Sequence, residues 1–302
     1  MTSRLAGIAA RSILVLLVAG LLGATLVGLA PGFETDERLL DPHLLPHTLE
    51  ALRQERAIGN PITFYVGYLA RLARGDAGRS IVFGQPVVTL IRHRAPITLR
   101  TVALGLTVGW ISGLLAATAA ALSGSRLVAA LALTLSASLL CIPSAVLATL
   151  CLMARLPPAA AISAVVFPRV FAHASQQIRA AMEKPHLLMA RARGVPPLRA
   201  FAFHVVPGTL WPMIALVGVS APLALGAAIP IEALADSPGL GQLAWRAALG
   251  RDLQVLVCIT LTYTIITVLC NALADVVTVT CFSRRGPYAE SLSFAQGARR
   301  AN

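Results

Sequence analysis

Long apolar runs alternate with polar segments along this chain and predict six membrane-spanning helices. A helix needs about 20 mainly apolar residues to cross about 30 Å of hydrocarbon. The runs that meet this requirement are residues 12–30, 101–125, 127–154, 156–178, 205–231 and 253–274. The first run could also be a cleaved signal peptide, but its apolar stretch is longer than a typical signal core, which favours a retained span.

The polar segments divide the chain into four parts. Residues 1–30 form the first span, 31–96 an extramembrane segment, 97–283 a core of five spans, and 284–302 a tail. Within 31–96, short amphipathic helices are predicted over 48–56 and 63–74, and a cluster of turn-forming residues follows at 75–80. The predicted fold class is therefore an all-α integral membrane protein.

The composition agrees with this fold class and changes the meaning of the charge. The 302 residues are 57% apolar and 13% charged, with a net charge of +12, whereas soluble domains carry about 25% charged residues. In a soluble protein such a charge would suggest nucleic acid as a partner. Here arginines are expected in cytoplasmic loops and at lipid headgroups. Because no soluble basic module is present, nucleic-acid binding is not predicted.

The distribution of charge predicts the orientation. The loop at 176–204 has five cationic residues against Glu183, and the tail from Arg284 has four arginines against Glu290. The segment 232–252 has three acidic residues against Arg246 and Arg251. The positive-inside rule then places both termini and the 176–204 loop in the cytoplasm and the 31–96 segment outside.

Ionisable residues inside the predicted spans are sparse, and this limits the possible chemistry. Only Arg169 and Asp275 lie within or at the end of a span. Arg169 lines a path or snorkels to a headgroup, and both interpretations stay open. No Gly-x-x-x-x-Gly-Lys-Ser/Thr loop, His-Glu-x-x-His or Gly-x-Ser-x-Gly motif occurs. The chain is therefore expected to be neither an ATPase nor another enzyme, and no metal site is predicted, since His43 and His47 have no third ligand nearby.

Three motifs stand in the loops. The 179–206 loop holds a basic, glycine-punctuated stretch, and the two others precede the second and the last span. The first motif comprises Leu188, Met189, Ala190, Arg191, Ala192, Arg193, Gly194, His204 and Pro212. The second contains Gly75, Asp76, Gly78 and Ser80, followed by Pro86 and Val87. The third contains Pro238, Gly239, Leu240 and Gly241, followed by Arg251 and Asp252.

The basic loop has the sequence of a helix, a corner and a second helix. Residues 184–193 can form the first helix, and Gly194 can end it in the left-handed conformation. Pro196 and Pro197 force an extended corner, and residues 198–206 can begin the second helix. Pro207 is expected to shorten this second helix or to kink the fifth span.

Together the three motifs resemble the dipeptide, oligopeptide and nickel permeases of ABC importers. In that family, His and Pro follow the loop glycine at plus ten and plus eighteen, the offsets of His204 and Pro212 from Gly194. The resemblance runs from about Gly75 to Asp275 and is weak over the first seventy residues. Pro196-Pro197 and Pro207-Gly208 stand where the family has polar residues, which implies an altered partner or a weakened coupling.

The resemblance implies an assembly and roles for these residues. It implies a subunit of a binding-protein-dependent importer in the bacterial inner membrane, with a second permease, two ATPase subunits and an extracytoplasmic binding protein as partners. ATP and Mg would be bound by the ATPase subunits and no cofactor by this chain. The 188–212 loop would dock on an ATPase, and the other two loops would face the binding protein. Nickel or another small solute is an alternative to peptides, and a stand-alone carrier is a further alternative.

Overall fold

The computed structural model describes residues 2–28, 61–123, 125–185, 189 and 193–284. Regular structure within these residues is helical, apart from an isolated bridge between Arg79 and Pro86. The α-helices are α1 Thr2–Gly28, α2 Pro61–Leu72, α3 Val87–Leu122, α4 Arg126–Cys141, α5 Ser144–Met153, α6 Pro158–Met182, α7 Pro197–Ala200, α8 Val206–Leu234, α9 Leu240–Leu249 and α10 Leu253–Arg284. A π-helical turn, π1 Phe201–Val205, joins α7 to α8. The predicted all-α class is confirmed for the described part of the chain.

Three of these helices are long and apolar enough to cross a membrane. They are α3, the Pro212–Leu234 part of α8 and the Leu253–Val276 part of α10. A fourth span results if α4 and α5 are counted together as one bent segment. The apolar part of α1, Ala10–Gly23, is shorter, and α6 is long enough but less apolar. The described residues thus support three to four of the six predicted spans.

The third predicted span, residues 127–154, is not one straight helix. Helices α4 and α5 meet at 106° across Ile142 and Pro143. Ile142 is extended, with φ −87° and ψ 123°, because the residue before a proline is disfavoured in the α conformation. Hydropathy is insensitive to this break, since both arms are apolar, but the proline itself marks it.

The second predicted span begins earlier than its apolar run. Helix α3 starts at Val87, ten residues before the boundary expected at 97. Its first turns carry Arg92, His93 and Arg94, which a hydropathy profile assigns to the extramembrane segment. A helix can extend beyond the hydrocarbon because its backbone hydrogen bonds remain internal. Helix α2, in contrast, lies within two residues of the predicted 63–74.

Helices α3 and α6 form the most extensive helix pair, and three glycines allow their close approach. Gly105, Gly109 and Gly113 recur every fourth residue on one face of α3. A Cβ added at Gly109 would lie 2.8 Å from the Cβ of Val166. A Cβ added at Gly105 would crowd Ile162 in the same way, and one added at Gly113 would crowd Val170. Small residues at this spacing let two helix backbones pack closely in a membrane.

Three buried clusters hold the helices together. One lies at the end of the molecule where α2, α9 and the start of α10 meet, with Tyr68, Leu243 and Val255 among its members. A second lies between α3, α6 and α8, and a third joins the end of α6 to π1. A further buried contact holds α1 against α2, because the Tyr65 side chain packs directly on Gly20.

Candidate functional site

The second and third motifs form a single structure, which we call the loop pair (residues 75–87 and 236–253). Asp252 is fully buried, and its Oδ2 accepts hydrogen bonds from the Ser80 hydroxyl and from the Val82 N–H at 3.2 Å. The Ser80 Oγ in turn accepts the N–H of Phe83 at 2.9 Å. Two loops separated by about 170 residues in the chain are thus joined through one buried carboxylate.

Asp252 also begins the last helix. Its Oδ1 accepts the N–H of Val255 at 3.2 Å, three residues on. This is the bond of an N-cap aspartate, which satisfies a backbone donor that the first turn of α10 leaves without a helical partner. The Asp252 carboxylate therefore fixes the loop before α3 and the start of α10 together.

Close packing or a left-handed backbone requires glycine at four positions of the loop pair. Gly78 has φ 78° and packs against the Gln254 side chain, so a Cβ there would overlap that amide. Gly239 packs against the Glu232 carboxylate, and Gly241 against the backbone of Ala228 and Ile229. Gly75 has φ 85° and an empty surrounding, so only its backbone conformation demands glycine.

A second buried carboxylate, Glu232 on α8, lies beneath the third motif. Its Oε2 accepts the Thr98 hydroxyl at 3.0 Å and the N–H of Gly241 at 2.8 Å. Thr98 Oγ1 also accepts the N–H of Leu240 at 2.7 Å. The carboxylate thus holds the N-terminus of α9 against α3, where the positive end of the helix dipole favours a negative charge.

Besides Arg169 and Asp275, the two ionisable residues expected within the spans, Glu232 also lies in a helix segment that is long and apolar enough to span. Its carboxyl is fully buried inside a helix segment that is apolar enough to span. Sequence reasoning ended the fifth span at residue 231 because an acid follows. The hydrogen bonds from Thr98 and Gly241 offset the cost of burying this carboxylate. Folding brings these two partners to Glu232, and no recognisable spacing in the sequence indicates them.

The outer surface of the loop pair carries both polar and apolar side chains. Arg94 Nη1 donates to Gln242 Oε1 at 2.6 Å, and Arg246 pairs with Asp236 at 3.2 Å. Trp245 and Leu249 on α9 are 55% and 66% exposed. Of the residues predicted to face a binding protein, those with exposed positions are Gly75, Asp76, Pro238 and Arg251, whereas Ser80, Gly239, Gly241 and Asp252 are buried.

The first motif is described in part. Leu188, Ala190, Arg191 and Ala192 lie outside the described residues, and Met189 is helical and 64% exposed. The N–H of Arg193 donates to the Met189 carbonyl at 3.1 Å, and Gly194 then has φ 75°, the left-handed conformation predicted for it. Nothing lies within 4 Å of the position that a Gly194 Cβ would occupy.

The chain from Gly194 onward turns sharply and becomes helical again; we call residues 193–206 the elbow. Helix α7, π1 and α8 follow one another directly, with Ala200 and Val205 buried against the end of α6. His204 is exposed on π1, and Pro212 lies half-buried within α8. The elbow is therefore anchored by a few small apolar side chains, and its motif residues point outward.

Pro207 neither ends nor interrupts this helix. The N–H of Val206 donates to the Phe201 carbonyl, five residues back, and this wider turn directly precedes the proline. A proline in a helix lacks its own N–H and crowds the carbonyl four residues before it. The π turn is the local adjustment expected at such a position.

Arg169 lies on α6 at the edge of a cavity of about 450 Å³. The cavity is formed by α6, the break between α4 and α5, and the middle of α8. Its other lining residues are apolar or small, apart from Ser144. The structure thus places Arg169 beside an open space between helices, and its role as a path-lining residue stays a prediction.

A chain with apolar helices, paired loops and a basic elbow matches a known protein family. Residues 105–284 match the family described as binding-protein-dependent transport system inner membrane component. The chain belongs to this family. The match covers α3 from its first packing glycine to the end of α10, and therefore contains the elbow, Glu232 and Asp252.

Individual relatives extend the similarity over most of the chain. The dipeptide transport system permease protein DppB of Lactococcus lactis is 24% identical over 258 residues, which cover 79% of this chain and 85% of DppB. A provisionally named peptide transport system permease protein of Brucella abortus is 28% identical over 301 residues, covering 88% of this chain and 93% of that protein. The oligopeptide transport system permease protein OppB of Escherichia coli is 25% identical over 256 residues, covering 77% and 82%.

Proposed function

We propose that this chain is the permease subunit of a binding-protein-dependent ABC importer for peptides or similar small solutes. The observation that carries the proposal is the family match, which includes the elbow and the 236–253 part of the loop pair. The names of the relatives, dipeptide, peptide and oligopeptide permeases, favour peptides over other solutes. Nickel remains the alternative substrate within the same architecture.

The proposed topology has six spans with both termini in the cytoplasm of a bacterial inner membrane. The cationic residues of the 176–204 loop and of the tail support this orientation. In this arrangement α1 and α6 cross together with the four more apolar segments. The loop pair then lies outside, and the elbow lies inside.

The elbow is proposed to dock on an ATPase subunit and to transmit its movement. Gly194 fixes a sharp corner through its left-handed backbone, and the continuous α7–π1–α8 segment connects that corner directly to a span. A movement applied to the corner therefore reaches α8 without an intervening flexible loop. The partner ATPase subunits would bind ATP and Mg, and a second permease would complete the path.

The loop pair is proposed to face the extracytoplasmic binding protein. Its buried carboxylates keep the shape of the surface, while Trp245 and Leu249 supply exposed apolar area. Tryptophan is among the residues that most often dominate protein interfaces. The arginine and acidic side chains around it form a polar rim.

Reconstitution in liposomes tests the proposed function. The chain is purified with its second permease and ATPases, and uptake of a radiolabelled tripeptide is measured with and without binding protein and ATP. We expect uptake only when the binding protein, the ATPases and ATP are all present. Uptake by this chain alone, without ATP, would instead establish a stand-alone carrier and reject the importer subunit.

A further inference from the structure

Helix α8 contains three prolines, and each of them has a glycine four residues before it. The pairs are Gly208–Pro212, Gly218–Pro222 and Gly226–Pro230. A proline inside a helix cannot donate to the carbonyl four residues back, and its ring crowds that carbonyl. A glycine at the crowded position has no Cβ, so its peptide can tilt away more freely than that of another residue. Each pair is therefore a point at which this spanning helix can bend.

The three pairs differ in what packs on their glycines. A Cβ at Gly218 would overlap the Cβ of Ala274 on α10, so this pair is held against a neighbouring helix. Gly208 lies next to the elbow, where a bend would not divide the span. Gly226 is exposed, and among the described residues no atom lies within 4 Å of its Cβ position. Helix α8 can therefore bend at Gly226–Pro230 without a clash on the side of this glycine.

The two ends of α8 are attached to different parts of the molecule. Two residues after Pro230, the buried Glu232 carboxylate accepts hydrogen bonds from the Thr98 hydroxyl on α3 and from the N–H of Gly241 on α9. At its N-terminal end, α8 continues directly from π1 and the elbow. A force on the elbow therefore acts on a helix whose last turn is held in place. The bending stress falls on the segment between these two ends, which contains the Gly226–Pro230 pair.

We propose that Gly226 and Pro230 form a hinge in α8. The part of α8 before Gly226 moves with the elbow, while the turn that carries Glu232 stays fixed to α3 and α9. The inference rests on the proposed function, because it takes the elbow as the point where an ATPase acts. Hinges are a few residues that absorb the change in backbone angles, and they are often small. The loop pair then keeps its shape while the span attached to it moves.

Amide hydrogen exchange tests the bending without any transport. It is measured by mass spectrometry on the full-length chain in nanodiscs, for residues 223–229 relative to α3. Pro230→Ala restores an N–H that can donate to the Gly226 carbonyl, so we expect exchange in this segment to slow by about tenfold. Pro222→Ala, in the pair that packs on α10, should slow it by less than about twofold. Unchanged exchange in Pro230→Ala would identify a fixed bend and overturn the hinge.

Uptake of trialanine by the reconstituted transporter tests the role of the hinge. We expect Pro230→Ala and Gly226→Ala each to lower uptake by about tenfold, because both substitutions favour a straight helix. The thermal unfolding midpoint should rise or stay unchanged, which separates a hinge from a residue that only supports the fold. Gly67→Ala is the control, since Gly67 is an equally open helical glycine on α2, and it should leave uptake unchanged. Unchanged uptake in either variant, a midpoint that falls together with uptake, or an equal loss in Pro222→Ala would overturn the proposal.

The two experiments separate the hinge from the proposed function. Failure of the unmodified transporter to take up trialanine with ATP and binding protein would reject the proposed peptide import. The exchange measurement would then still decide whether α8 bends at Gly226–Pro230. Normal uptake by the unmodified transporter, with no effect of the two substitutions, would instead keep the importer and reject the hinge.

Discussion

The loop pair and the elbow both contain motif residues, but these residues have different structural roles in the two regions. In the loop pair, Ser80 and Asp252 are buried and hydrogen-bonded to each other across the fold. In the elbow, Gly194 and His204 are exposed, and no side chain packs on the Gly194 Cβ position. The motif residues therefore form a buried hydrogen-bonded contact in the loop pair and an exposed turn in the elbow.

The contrast explains how each region would respond to substitution. Buried carboxylates with several donors stabilise a structure, and losing one leaves those donors without partners. An exposed glycine corner contributes little to stability, but its backbone sets the direction of the helices on either side. We expect changes in the loop pair to lower stability, and changes in the elbow to affect communication with a partner.

The largest effect on stability is expected for Asp252→Ala. The substitution removes the acceptor of the Ser80 hydroxyl and of the N–H groups of Val82 and Val255. We expect a loss of about 3 kcal/mol in the free energy of unfolding, because buried donors are left unsatisfied. The thermal unfolding midpoint of the detergent-purified protein measures it, with Asp76→Ala at an exposed position of the loop pair as control. Equal midpoints for the two variants would contradict the internal role of Asp252.

Gly241→Ala should have the next largest effect. The new methyl group would lie 2.7 Å from the Ile229 Cα and 2.9 Å from the carbonyl of Ala228, which are backbone atoms that cannot rotate away. Overpacking of this kind costs about 1–3 kcal/mol. Gly67→Ala is the matched control, because Gly67 lies in α2 with nothing within 4 Å of its Cβ position. That control should raise the unfolding midpoint slightly, since alanine favours a helix.

Trp245→Ala should change the stability least and the partner interaction most. The indole is 55% exposed, so we expect a change in unfolding free energy within about 0.5 kcal/mol. If α9 is the docking surface, affinity for the binding protein should fall by about tenfold or more, as for an interface tryptophan. Surface plasmon resonance with the reconstituted transporter measures this affinity. An unchanged affinity would move the docking surface away from α9.

The sequence predicts the parts of this structure that depend on local pattern. The helical class, the span of α2 and the left-handed Gly194 follow from apolar periodicity and from the backbone freedom of glycine. The break at Ile142–Pro143 was missed because both arms are apolar, although Pro143 is a signal that would have located it. The early start of α3 was missed because its first turns are polar.

The buried carboxylates could not be predicted in the same way. Glu232 binds Thr98 across 134 positions of the chain, and Asp252 binds Ser80 across 172. No spacing in one sequence encodes such pairs, because they form only when distant helices come together. The sequence placed Glu232 and Asp252 in the outer segment 232–252, since an acid after an apolar run usually marks the end of a span.

The most direct test of the account compares Gly194→Pro with Gly194→Asn in the assembled transporter. Proline cannot adopt φ 75°, whereas asparagine tolerates the left-handed conformation. The measurement is ATP hydrolysis with and without binding protein. We predict that Gly194→Pro abolishes the stimulation by binding protein or the assembly of the ATPases, while Gly194→Asn keeps both and neither variant changes the unfolding midpoint. Full assembly and stimulation with Gly194→Pro would contradict the elbow as the coupling element.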